Sequence, residues 1–448
     1  MWSVPKAFVL FSTLLRSSLV SGVDNHSIVY RQNSSGPVPP SEDPFYTAPQ
    51  DFELASPGTI LRIRHDPGNL TAVVANTSAV YNIIYRTTDT RYRPSWAVTT
   101  LLVPKTPLET RYPTGNTTAQ GQGALLSYQI PYNSADVNSS PSYRLGTDYA
   151  TPSTVGPPAT DGIAKALGRG WYVSVPDFEG PLAAFFAGSQ EGHAVLDSVR
   201  AVLSWDGFPS SSEEARYALW GYSGGSVASH WAAELQASYA PELAFAGAAL
   251  GGTVPNATSA YDNITATPYS GLLPGMLLGI TAEYPEARDF LVSSLHTEGP
   301  YNATGFLAAL QMTVGDEFVV YAGQDINRYF IQGRDFLRTP EIARILGNNG
   351  YQGYHGIPQM PVFVYKAIGD EFSNVADTDA LVERFCGVGA NILYQRNTVG
   401  GHIDEISNGE PRAMDWLVEV LEGATERKQP ATGCVVENVT VNVTASTT

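Results

Sequence analysis

Apolar positions in this chain alternate between short β-rich runs and longer stretches at helical spacing, and that alternation predicts most of its elements. Residues 80–85 and 97–103 are rich in β-branched and aromatic side chains and flank a turn cluster at 89–94, which predicts an antiparallel hairpin. Residues 124–130 predict a strand followed by a polar loop through Ser142, residues 161–167 a short helix, and residues 171–175 another strand. Between 193 and 205 the apolar residues recur with the period of an amphipathic helix. A further apolar run opens at Tyr217 and leads into an Ala-rich helical stretch, and 245–250 is a strand of small residues. Strands alternating with helices predict a mostly parallel sheet covered on both faces.

The alternation stops at Thr253 and resumes only near residue 351. Helical candidates at 271–282, 286–295 and 303–314 fill the interval, which is expected to be a cap or lid inserted after the strand that opens at Tyr217. Its apolar, glycine-containing stretch at 271–280 suits a channel lining, a hinge or ordinary packing within the cap. Beyond it, 361–368 predicts a strand, 381–386 a helix, 390–394 the last strand and 413–421 a final helix. The expected organisation is a signal peptide at 1–22, an irregular arm at 23–50, α/β core at 51–252, cap at 253–350, core again at 351–435, and a tail at 436–448.

Composition narrows the class. With 43% hydrophobic and 15% charged residues the chain can build a core and is not a disordered polymer. A net charge of -17 would repel nucleic-acid phosphates, so no nucleic-acid partner is expected. Lys6, the apolar run at 7–15 and small residues Ser21 and Gly22 fit a secretory signal, with a buried N-terminal helix as the alternative. Asn-x-Ser/Thr sequons at Asn25, Asn33, Asn69, Asn76, Asn116, Asn138, Asn256, Asn263, Asn302, Asn438 and Asn442 agree with an extracellular glycoprotein. In an oxidising compartment the only two cysteines, Cys386 and Cys434, are most simply one disulfide. No other apolar run approaches the roughly 20 residues a membrane span needs, so no integral membrane anchor is expected.

The chemistry centres on Gly221-Tyr-Ser223-Gly224-Gly225, placed between the strand that opens at Tyr217 and the helical stretch after it. A sharp strand-to-helix turn there would expose Ser223, with the two outer glycines allowing strand and helix to approach. A serine hydroxyl is a poor nucleophile and needs a base, and the base needs a third group to orient it. On such a sheet the chain order is serine, acid, histidine. His26, His65 and His193 precede Ser223, His230 lies too far along the following helix, and His296 and His355 precede the best acid. His402, expected in a glycine-rich loop, remains as the base. Asp370 comes first after the strand at 361–368 and is the preferred acid; Glu371, Asp377 and Asp379 compete, with Asp377 the runner-up. The oxyanion needs two donors: the Gly224 N–H, and one around Tyr132 or Asn133.

Ser127-Tyr-Gln129 followed by Pro141-Ser-Tyr143, Gly170-Trp-Tyr-Val-Ser-Val-Pro-Asp-Phe-Glu-Gly180, Gly192-His-Ala-Val-Leu-Asp-Ser-Val-Arg200, the Ser223 motif, Ala367-Ile-Gly-Asp370 and Gly401-His402 carry a family resemblance. From about residue 50 to 435 the chain resembles the fungal secretory lipases of the lipase-A type. That resemblance implies an α/β-hydrolase fold with a large helical cap, with nucleophile, acid and base at Ser223, Asp370 and His402. It also implies paired Cys386 and Cys434. Two positions depart from the family: Asn133 stands where aspartate is common, and Ser139 or Ser140 where a cysteine is. The implied activity is secreted, serine-dependent hydrolysis of carboxylic esters, foremost of triacylglycerols at an oil–water interface, with no metal and no organic cofactor. Carboxylesterase, acyltransferase, and an inert glycoprotein on a hydrolase scaffold are the alternatives.

Overall fold

The computed structural model describes residues 36–108, 123–148, 157–209, 215–423 and 433–443. Among the described residues ten strands form one sheet: β1 (Ile60–His65), β2 (Thr77–Thr88), β3 (Pro94–Pro104), β4 (Ala124–Gln129), β5 (Tyr172–Pro176), β6 (Arg216–Tyr222), β7 (Gly247–Gly251), β8 (Val362–Ala367), β9 (Ile392–Asn397) and β10 (Cys434–Val439). Their spatial order is β1-β2-β3-β5-β4-β6-β7-β8-β9-β10. The hairpin β2–β3 and its neighbours β1 and β5 pair antiparallel, and every pairing from β5 through β4 to β10 is parallel. Parallel strands need helical crossovers, and these bury both faces of the sheet. Accordingly β4, β5, β7 and β8 are buried at every position.

Two cores result. On one face, Val195 and Leu196 of helix Gly188–Leu203 and Val227 and Trp231 of helix Gly224–Tyr239 pack against Leu125 and Leu219. On the other, Ile163 and Leu167 of helix Pro157–Gly168 meet Trp220, Phe363 and Leu417 of helix His402–Glu422. The first core runs on into the segment between β7 and β8, where Leu277, Phe306 and Tyr329 belong to it. That segment contains helices Ala257–Ile264, Leu272–Ile280, Pro285–Ser293, Ala303–Leu307, Val314–Val320 and Pro340–Asn349. It leaves the sheet after β7, which ends at Gly251.

Several elements differ from expectation. Strand β9 is not the last: Cys434–Val439 adds to it in parallel as the edge strand β10, so the expected boundary between core and tail at 435 falls inside a strand. Exposed edge strands lack an inward apolar face, and Val436, Glu437 and Asn438 are exposed, so periodicity could not reveal it. Strand β1 was hidden by Arg62 and Arg64; Arg64 is nevertheless buried, paired with Asp43 at 2.6 Å. That pair docks the described end of the irregular arm, whose Phe45 is also buried. The expected loop through Ser142 winds into the 3₁₀ turn Val137–Ser139 and helix Pro141–Asp148.

Cys386 and Cys434 are joined as a disulfide that ties β10 to helix Val375–Gly387. Asn69, Asn76, Asn263, Asn438 and Asn442 are exposed. Asn138, Asn256 and Asn302 are half-buried, each with a side-chain oxygen accepting a backbone N–H. Asn25, Asn33, Asn116 and the segment 1–22 lie outside the described residues. No helix among the described residues is long and apolar enough to cross a membrane.

Candidate active site

Strand β6 ends at Tyr222, helix Gly224–Tyr239 begins at Gly224, and Ser223 alone makes the turn with φ 53° and ψ −124°. A non-glycine residue at positive φ is strained, and here it lifts Oγ clear of the sheet. The flanking glycines are steric requirements: a Cβ at Gly221 would lie 2.2 Å from the Gly225 carbonyl oxygen. As the first helical residue, Gly224 has an N–H with no intrahelical acceptor.

His402 approaches from the opposite side of the sheet end. Its Nε2 is 2.8 Å from Ser223 Oγ and its Nδ1 2.8 Å from Asp370 Oδ2. It is not in a loop, as expected, but is the first residue of helix His402–Glu422, which starts eleven residues before the expected apolar period because its first turns are polar. His402 is further held by one contact to its ring and two hydrogen bonds to its backbone. Phe372 stacks on it at 4.4 Å between centroids, the Tyr222 hydroxyl donates to the His402 carbonyl at 2.6 Å, and its backbone N–H donates to Glu371 Oε2 at 2.7 Å. Tyr269, from the segment between β7 and β8, packs against Phe372 with ring centroids 4.3 Å apart.

Of the competing acids only Asp370 meets the ring. Asp377 accepts from Ser259 Oγ at 2.6 Å, and Asp379 pairs with Arg396. Asp370 Oδ1 accepts the backbone N–H groups of Phe372 and Ser373, both at 2.9 Å. Its Oδ2 also accepts from Lys366 Nζ at 2.8 Å. Burial alone would raise this carboxyl, but the positive charge of His402 and then that of Lys366 hold it well below the usual carboxylate range. Lys366, on β8 four residues before the acid and fully buried, was not among the expected site residues. Its signal is a lone charge within an otherwise apolar strand.

The loop after β4 lies against the start of the Ser223 helix. Asn133 has φ 47°, and its Oδ1 lies so near Gly224 that a Cβ there would be 1.9 Å away. That buried oxygen has no hydrogen-bond partner. The Tyr132 side chain is engaged elsewhere, its hydroxyl oxygen accepting the Glu179 backbone N–H at 2.7 Å. Of the other histidines, buried His193 bonds the Thr88 carbonyl, buried His230 lies 3.3 Å from Glu234, and half-buried His355 packs against Trp231.

The secretory lipase family profile matches residues 159–428, more than half of the chain and including Ser223, Asp370 and His402. The chain belongs to the secretory lipase family. This family member is 49% identical over 415 residues to the trichothecene C-3 esterase of Fusarium sporotrichioides, a match covering 92% of this chain and 90% of that one. It is 35% identical to lipase A of Arthroderma benhamiae, covering 90% and 83% of the two chains. Among solved structures, Candida antarctica lipase A superposes with a TM-score of 0.78 at 26% identity, over 92% of this chain and 91% of that one. The fold is therefore that of the α/β-hydrolases, and the protein is a hydrolase of the lipase and esterase type.

Proposed function

We propose that this protein is an exported ester hydrolase in which Ser223 is the nucleophile, His402 the general base and acid, and Asp370 the group that orients and charges the imidazole. The observation that carries this reading is the unbroken chain of two 2.8 Å contacts from Oγ through the ring to the carboxylate. Neutral His402 takes the Ser223 proton at Nε2 as Oγ attacks the ester carbonyl. The tetrahedral oxyanion is held by the N–H groups of Gly224 and Asn133. The imidazolium then gives its proton to the departing alcohol, leaving an acyl-serine that water clears by the same route. Neither metal nor organic cofactor has a part in these steps.

For the substrate we propose an ester of a trichothecene-like polycyclic alcohol in preference to a triacylglycerol. Supporting it is the greater likeness to the trichothecene C-3 esterase, 49% against 35% for lipase A. The triacylglycerol reading keeps support from the buried apolar helix Leu272–Ile280 in the segment between β7 and β8 and from the likeness to Candida antarctica lipase A. Purified protein is assayed side by side on a trichothecene C-3 ester and on a long-chain triglyceride emulsion, with Ser223→Ala as control. Turnover of the first and not the second is expected; rapid hydrolysis of the emulsion alone would reverse the substrate assignment. Loss of fluorophosphonate labelling in Ser223→Ala, with kcat lowered on the order of 10⁴-fold or more, checks the nucleophile.

A further inference from the structure

We propose that Lys366 is a positioning residue of the triad, whose ammonium shares one Asp370 oxygen with His402 and thereby keeps the imidazole a competent base into more acid solution. The inference rests on the triad reading above and adds a member to it. Lys366 Nζ donates to Asp370 Oδ2 at 2.8 Å and to the Thr253 carbonyl at 3.0 Å, and both charged side chains are wholly buried. His402 Nδ1 bonds the same Oδ2, so the two nitrogens are separated by at most two hydrogen bonds laid end to end. With Oδ1 taken by two backbone N–H groups, the carboxylate has no freedom to rotate. A buried lysine is costly unless paired, and here its anion is the triad acid itself.

The charges facing this cluster come from every neighbouring element. Asp370 and Glu371 follow β8, and Asp377 and Asp379 lie on helix Val375–Gly387, where their fields favour the ammonium against the burial that opposes it. Tyr222 of β6 and Tyr394 of β9 face it as neutral phenols, both raised by burial. Glu405 on the last helix is paired with Arg412, and Asp379 with Arg396. The His402 imidazolium, once formed, would stand beside Lys366 as a second cation across one carboxylate. A neighbouring like charge disfavours the charged form of a base, so removing the ammonium makes His402 easier to protonate. The acid limb of activity, which follows loss of the neutral imidazole, must then move to higher pH.

The test is the pH profile of kcat/KM for ester hydrolysis, and of the fluorophosphonate labelling rate, in wild type, Lys366→Met, Lys366→Gln and Lys366→Arg, with melting temperature recorded for each. The expected result is an acid limb displaced upward by about one pH unit in the Met and Gln variants and retained in the Arg variant. An acid limb at the wild-type pH in either neutral variant, whatever the loss of amplitude or stability, overturns the inference and leaves Lys366 a structural residue. Gln serves where Met destabilises, since its amide still reaches an acceptor. A wild type that is not labelled, or a Ser223→Ala variant labelled equally, would instead sink the triad reading.

Discussion

Gly225 packs onto the backbone of Gln129 so tightly that a Cβ at 225 would stand 1.9 Å from the Gln129 carbonyl oxygen. In an open helix a Gly→Ala change gains up to about 1 kcal/mol. Here the clash is with main chain at the end of β4, which cannot swing aside. Gly225→Ala is expected to destabilise by about 1–3 kcal/mol and to displace Ser223, lowering melting temperature and fluorophosphonate labelling together. An unchanged melting temperature would show that the elbow has slack.

Asn133 offers both an amide and a backbone N–H beside Gly224, and glycine is the one substitution that tolerates its φ of 47° without strain. If the backbone N–H is the second oxyanion donor, Asn133→Gly lowers kcat by less than about tenfold. A fall of about 10²–10³ would give that role to the side chain.

Stability should peak in mildly acid solution. Burial pushes the carboxyl of Glu191 from 4.5 up to about 8, against the single N–H of Phe186, and lifts Asp177 and Glu283 to about 7. A carboxyl raised on folding contributes stability that is complete below its unfolded value and lost as pH rises through its folded one. Asp370, held low, works in the opposite sense and loses its contribution only as pH falls below the ordinary carboxylate range. Melting temperature is therefore expected to be greatest near pH 4–5 and to fall toward pH 8. Glu191→Gln, which keeps an acceptor for Phe186, should flatten that decline; an identical slope in the variant would remove Glu191 from the account.

The disulfide closes a loop of 48 residues and secures an edge strand whose outer side is exposed. By the chain-entropy model it contributes about 4 kcal/mol. Cys386→Ser with Cys434→Ser is expected to lower the melting temperature while labelling of Ser223 persists, because β10 is remote in the sheet order from β6. Loss of labelling at full folding would mean that β10 supports His402 through the helix beside it.

Much of this was legible in the chain. The hairpin, the buried parallel strands and the helices that cover them follow from periods of two and 3.6 in apolar residues, since both faces of each central strand are covered. Ser223 and His402 stand at the ends of such elements, where chain order and local residue type single them out, and Asp370 is the first of four competing acids after β8. Strands β1 and β10 were not legible, because an edge strand needs no apolar face and its arginines or sequons read as loop. The start of the last helix was likewise concealed by polar first turns.

What the sequence alone determined is the alternation that makes the sheet, the serine and the histidine at its carboxyl end, and a short list of acids beside them. Only the tertiary structure decided which acid meets His402, that Asn133 lies against Gly224, and that a lysine shares the carboxylate. The reason is physical: periodicity records whether a side chain is buried, but a buried charge is defined by its partner. Lys366 and Asp370 become a pair only when β8 and the turn after it bring an ammonium and a carboxylate within 2.8 Å.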